Sequence, residues 1–288
     1  MKSGIRRSLL LGALLSPAAG CLRAQGPVRA TATFRIGLTP VFLDDQAAFL
    51  AVWRDYLEQR LRTSVVFVRR GNYRQILELL NEGALDFAWV CGYPYVRHRP
   101  QLKLLAVPLY KGKPLYQSYL VVPRLDAATR SILDLRGKVF AYSDPDSNSG
   151  YLYPQYSLRQ LKETPSSFFG RTFFTWSHRA VVEAVAVGLA HGGAVDGYVW
   201  DTLSQMHPHL TADTRVVQRS PEFGFPPFVA RSSIDARSFA AVQEVLVRMA
   251  AEPEGRGLLK RLNLDGFVPG QPSLFDGVAA MLPAVAPG

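Results

Sequence analysis

From residue 34 to residue 90 the chain alternates short apolar runs with segments of helical period, and this alternation constrains the fold more than any other feature. Residues 34–38 read as a buried strand ending at Thr39-Pro40. Asp44 or Asp45 is placed to cap a helix reaching about Leu61, with Phe49, Val52, Trp53, Tyr56 and Leu57 at helical spacing. Residues 64–68 are β-rich. Asn72 then caps a second helix, which carries Ile76, Leu77, Leu79 and Leu80 and stops at Gly83. Residues 85–90 form the next strand. A βαβαβ run implies a parallel sheet with helices on its faces.

The same logic returns further along. Residues 102–107 and 115–122 read as strands, 131–138 as a short helix and turn, and 139–142 as a strand followed by the loop 143–150. A helix over 151–161, a strand over 171–175, a helix over 178–190 and a strand over 194–199 complete a second unit. The apolar stretch 226–230 carries the chain back to the first unit, and helices follow over 235–252, 254–262 and 272–282. Two α/β units joined by two crossings leave a cleft between them. In open α/β sheets ligands sit at the carboxyl ends of strands, against helix N-termini.

Residues 1–24 read as a signal peptide: Lys2, Arg6 and Arg7 precede a short apolar run over 9–15, then Ala18-Ala19-Gly20. Two processing routes fit, cleavage before a lipidated Cys21 or cleavage after Ala24. Arg6-Arg7 is also compatible with twin-arginine export. Both routes place the protein outside the cytoplasm, in the periplasm, free or lipid-anchored. The net charge of +10 falls once this segment is set aside, leaving 29 basic against 23 acidic residues. The remaining Lys and Arg are scattered rather than interleaved with aromatics, which argues against nucleic acid. Cys91 has no partner once Cys21 is excluded, so no disulfide framework exists. No Cys/His spacing suits a metal, and no cofactor is expected.

The sharpest local signal is Asp144-Pro145-Asp146-Ser147-Asn148-Ser149-Gly150, between a strand and a helix. Hydroxyls and a glycine at a helix start supply free N–H groups and side-chain donors, a combination suited to a phosphate-like anion. The same residues also serve simply as a helix cap.

Several segments in order resemble the phosphonate/phosphite-type ABC-transporter binding proteins. These are Phe34-Arg35-Ile36-Gly37-Leu38-Thr39-Pro40, then Asp134-Leu135-Arg136-Gly137-Lys138 with Ser147-Asn148-Ser149-Gly150-Tyr151-Leu152-Tyr153-Pro154. Ser177-His178, Gly193-Ala194-Val195-Asp196 and Gly266-Phe267-Val268-Pro269 continue the series. The resemblance implies an α/β, two-lobed periplasmic binding protein (type II) fold with a two-strand hinge. Lobe 1 would comprise 34–120 plus 231–288, and lobe 2 would comprise 123–227. It further implies that Ser147, Asn148 and Ser149 donate to anion oxygens, that His178 donates across the cleft, and that Asp196 reads a protonated oxygen or an amine. Asn148 stands where the family often has Thr. Tyr93 or Tyr95 would donate a hydroxyl or wall the pocket, or else pack against the first lobe.

Cys91 has two readings, a small buried hydrophobe or a thiol facing the cleft. The second suits a thiophilic oxyanion such as arsenite, and arsenite-sensing binding proteins resemble this same family. The expected function is capture of a phosphonate, phosphite or phosphate for an ABC permease. The alternative is an oxyanion sensor that feeds a membrane histidine kinase. Cys91, His178 and Asp196 are also the residue types of a nucleophilic triad. No Walker loop, GxSxG or HExxH accompanies them, and the binding reading explains more of the chain, so no enzyme is expected.

Overall fold

The structure is a computed structural model that describes Met1, residues 33–39 and residues 47–285. The expected signal peptide, Cys21 and the expected cap at Asp44 or Asp45 lie outside the described residues.

The first α/β run holds β1 (Thr33–Leu38), α1 (Ala47–Leu61), β2 (Ser64–Arg69), α2 (Tyr73–Asn81), β3 (Phe87–Trp89), α3 (Gly92–Arg97) and β4 (Leu102–Leu109). The capping logic behind α2 holds in detail: the Asn72 side chain accepts the Gln75 N–H, and Gly83 beyond the helix has φ of 73°. On α1, Phe49, Trp53, Tyr56 and Leu57 are buried, whereas Val52, expected on the same face, is exposed.

The chain then crosses through β5 (Leu115–Tyr116) into β6 (Ser118–Pro123), β7 (Val139–Tyr142), α4 (Tyr153–Gln160), α5 (Pro165–Phe168), β8 (Arg171–Phe174) and α6 (His178–Ala186). β9 (Gly192–Asp196), α7 (Gly197–Met206), α8 (Pro208–Thr211) and β10 (Thr214–Arg219) complete this part. β11 (Phe223–Gly224) leads back to β12 (Phe228–Arg231), α9 (Ala236–Arg248), α10 (Pro253–Arg261), β13 (Gly266–Pro269) and α11 (Asp276–Val285).

Two sheets result. The first runs β13-β4-β12-β3-β1-β2 and the second β10-β6-β9-β7-β8. Both are mixed rather than parallel. The pairs β1–β2, β1–β3, β7–β8 and β7–β9 are parallel, but β12 returns from the second lobe and inserts antiparallel between β3 and β4. The two crossings pair as the antiparallel ribbon β5–β11, the two-strand hinge. The strand expected over 115–122 is divided at Gln117, whose carbonyl accepts the Gly197 N–H at 2.9 Å. The strand expected over 194–199 stops at Asp196, because its Oδ1 takes the N–H groups of Tyr198 and Val199 and so starts α7. The helix expected over 178–190 ends at Ala186, just before Gly188 at φ of 78°.

Each lobe has an aromatic core. In the first, Trp89 stacks on its strand neighbour Phe228 with ring centroids 5.1 Å apart, and Trp53 meets both rings edge-on. In the second, Phe140 stacks on Phe169 at 4.5 Å. Full burial of such side chains contributes roughly 1.5–3 kcal/mol apiece. These cores hold the carboxyl ends of β3, β7 and β9 in facing positions.

Candidate functional site

The segment after β7 turns tightly before α4 begins. Asp144 Oδ1 accepts the Asp146 N–H at 2.8 Å, and the Ser147 hydroxyl accepts the Gly150 N–H at 3.0 Å. The Leu152 N–H reaches the Ser147 carbonyl five residues back, so residues Asn148–Leu152 form one π-helical turn. Gly150 permits this geometry: a Cβ there would sit 1.9 Å from Ser143 Oγ and 3.1 Å from His178 Cε1. The loop therefore caps a helix, as the simpler reading had it. It also turns buried polar groups towards the other lobe.

His178 opens α6 behind the Ser177 cap. Its Nδ1 accepts the Asp196 N–H at 3.1 Å, which leaves the proton on Nε2, 3.3 Å from the Tyr73 hydroxyl. Burial pushes the His178 pKa down to about 3, so the ring is a neutral donor. Burial acts oppositely on Asp196 and raises its pKa to about 8, against the two N–H groups that favour its charge. Asp196 caps α7 and Asp201 lies within it, but only Asp196 is fully buried.

Four further groups come from α2, the end of β3, β5 and β6. Tyr73, first residue of α2, donates its N–H to Asp144 Oδ2 at 3.2 Å. Cys91 Sγ accepts the Asn148 N–H at 3.2 Å, and burial raises the thiol to about 11. The Tyr116 hydroxyl, on β5, lies 4.0 Å from that sulfur and accepts the Asn148 amide at 3.0 Å. Ser118 Oγ donates to the Ser149 carbonyl at 2.7 Å.

Six of the eight residues singled out in the sequence thus meet in one buried cluster: Cys91, Ser147, Asn148, Ser149, His178 and Asp196. Tyr93 and Tyr95 do not join it. Tyr95 packs edge-on against Phe275 at 4.9 Å, and Tyr93 lies beside the Arg97 guanidinium. One N–H of the Asn148 amide expected to face an anion is donated to Tyr116 instead. Sequence reasoning missed Tyr73 and Ser143, and assigned no role to Tyr116 or Ser118 within the strand expected over 115–122. Only the Asn72 cap hinted that Tyr73 begins a helix aimed at the cleft.

Four buried atoms here have no hydrogen-bond partner: Ser143 Oγ, Asn148 Oδ1, Ser149 Oγ and Asp196 Oδ2. The donors around them are hydroxyls, a neutral imidazole and the N-terminal ends of α2, α6 and α7, whose dipoles favour negative charge. Among the described residues, no group of three or more His, Cys, Asp or Glu side chains is arranged to hold a metal ion.

Two α/β lobes, a two-strand connection and polar groups gathered where the lobes meet define a two-lobed periplasmic binding protein of type II. The fold is shared with PhnD1 of Prochlorococcus marinus, solved in complex with methylphosphonate: TM-score 0.76, 19% identity, 86% of this chain and 96% of that one. Residues 36–275 match the periplasmic substrate-binding proteins of phosphonate ABC transporters, and the chain belongs to that family.

A probable ABC transporter phosphite binding protein, also from Prochlorococcus marinus, is 24% identical over 188 residues, covering 63% of each chain. The phosphonates-binding periplasmic protein of Escherichia coli is 24% identical over 225 residues, 75% of this chain and 66% of its own. The chain thus spans just under two thirds of the length of these relatives. The family comprises periplasmic binding proteins rather than enzymes. No helix among the described residues is long and apolar enough to cross a membrane.

Proposed function

We propose that this protein captures a small phosphorus oxyanion, a phosphonate, phosphite or phosphate, between its lobes and delivers it to an ABC permease without chemical turnover. The carrying observation is the set of four unpartnered buried atoms at Ser143, Asn148, Ser149 and Asp196, beside the neutral Nε2–H of His178. Buried polar groups are ordinarily paired, so such a set is best completed by a ligand offering both acceptors and a proton. Oxygens would take the Ser149, Ser143 and His178 protons, a protonated oxygen or an amine would serve Asn148 Oδ1, and Asp196 would donate its own proton to the ligand or, once ionised, read a protonated oxygen or an amine. The Ser147 hydroxyl, whose oxygen already caps Gly150, still has its own proton to donate. The names of the relatives point to the same class of solute.

The lobes in this reading are 34–120 plus 231–288 and 123–227, closing about β5 and β11. Residues 1–24 act as the export signal, with Cys21 as the lipid anchor or Ala24 as the last residue removed. One observation favours a second reading, an arsenite-type sensor feeding a membrane histidine kinase: Cys91 Sγ lies within the cluster. The raised pKa of that thiol weighs against it, since metalloid ligation wants a thiolate.

A thermal-shift panel of phosphate, phosphite, methylphosphonate, aminoethylphosphonate, sulfate, arsenate and arsenite tests both. A hundredfold excess over Kd stabilises by about 2.7 kcal/mol. A shift with a phosphorus anion is the expected result. A shift with arsenite alone would replace the first reading with the second, and no shift at all would overturn both.

A further inference from the structure

Building on the capture reading, we propose that the cavity flanking the anion loop is a second subsite, which takes the substituent carried by the oxyanion and selects one with a distal negative charge. The cavity is an open cleft of about 590 Å³ between the lobes, within the usual range for small-molecule pockets. Arg74, Tyr93 and Arg97 line it from one lobe, with the end of α11, and Asp146 and Tyr151 line it from the other. Asp146 and Tyr151 bracket the segment from Ser147 to Gly150 in the chain, and Arg74 directly follows Tyr73. The cavity is therefore lined by residues adjacent in the chain to those of the buried cluster on both sides.

Its charge sets the class of substituent. Two guanidiniums meet one lining carboxylate. Arg97 spends its charge on Asp146 across the lobes at 3.3 Å and lies 5.4 Å from the centre of the Tyr93 ring. Arg74 is exposed and pairs with no described carboxylate within salt-bridge distance. The nearby Asp144 accepts the Asp146 and Tyr73 N–H groups and does not line the cavity, although its charge is within electrostatic reach of Arg74. An ammonium group entering the cavity meets like charge, whereas a carboxylate or second phosphoryl group is attracted. The Tyr151 ring, fixed edge-on against Tyr142 at 5.3 Å, gives the substituent a rigid wall.

Calorimetric titration of the full chain with methylphosphonate, phosphonoacetate and 2-aminoethylphosphonate tests the subsite. Phosphonoacetate is expected to bind about fivefold tighter than methylphosphonate at low salt, the scale of one partly exposed ion pair. That ratio is expected to fall to near one in Arg74→Ala, to return in Arg74→Lys, and to shrink with added salt. Equal affinities for the two, tighter binding of 2-aminoethylphosphonate, or a ratio untouched by Arg74→Ala would overturn the subsite while sparing the capture reading. Failure of all three phosphonates to bind would overturn both.

Discussion

Asp196 and Asp201 lie five residues apart at the start of α7, and their carboxylates are used in opposite ways. Asp201 Oδ2 accepts from Tyr110 Oη at 2.6 Å, Lys111 Nζ at 2.6 Å and Tyr119 Oη at 3.2 Å, tying the two lobes together beside the hinge. Asp196 Oδ2, deeper in the same interface, accepts nothing. An unpaired buried polar group costs about 1–3 kcal/mol, and the cluster holds four of them while the hinge clamp is saturated. The clamp maintains the shape. The cluster gives up stability in a pattern that suits binding.

The most disruptive way to break this contrast is at Gly150. Gly150→Ala drives a methyl into Ser143 Oγ and Cβ, at 1.9 and 2.8 Å, and is expected to cost about 1–3 kcal/mol or more and to abolish anion binding. Thermal unfolding and calorimetry of the variant read both effects. Next comes a paired comparison at the loop. Ser149→Ala is expected to leave the melting temperature level or raised, since it deletes an unpaired hydroxyl, while anion affinity falls about tenfold or more. Ser147→Ala removes a cap and is expected to lose about 1 kcal/mol of stability. Equal stability losses in both variants would erase the distinction between shape and binding.

Asp201→Ala is expected to destabilise by about 1–3 kcal/mol through the three donors it strands, and to weaken binding by loosening closure. Small-angle scattering would register the looser closure as an increased radius.

The last test leaves the sequence unchanged and reads a pH slope. Asp196 is raised from 3.8 to about 8, so the folded state holds a proton that the unfolded state has released, and stability falls as pH rises towards 8. His178 is lowered from 6.5 to about 3, so its contribution grows as pH rises from about 3 to 6.5. The two oppose each other between about pH 4 and 6.5. Above that only Asp196 titrates, and the melting temperature is expected to decline from pH 6.5 to 8. Asp196→Asn, which keeps the helix cap, is expected to flatten that decline.

What the sequence showed depended on the range over which each feature is determined. The anion loop was legible because Ser147, Ser149 and Gly150 act on their own backbone within a few residues. Asn148 was legible as a polar group but not in its partners, since Tyr116 lies 32 residues away and Cys91 lies 57. Tyr73 meets His178 across 105 residues, and no local pattern encodes that meeting. The run over 194–199 misled through its β-favouring Val195, Tyr198 and Val199. Asp196 overrides that propensity by capping a helix, and position 197 takes a glycine because a Cβ there would press on the Tyr119 ring at 2.6 Å. The parallel sheets expected from βαβ logic became mixed because returning strands have no local signature of direction.

That returning strand also sets an order of assembly. Every strand of the five-stranded sheet lies between residues 118 and 219, whereas β4 reaches the first sheet only through β12, at residues 228–231. As the chain emerges from its N-terminus, the later lobe can complete its sheet while the earlier one still waits, with β3 presenting an open edge and β4 detached. Closing that gap joins segments more than a hundred residues apart, the kind of distant pairing that slows folding. The half of the molecule made first is thus the half finished last, and in that interval it has the greater need of protection from aggregation.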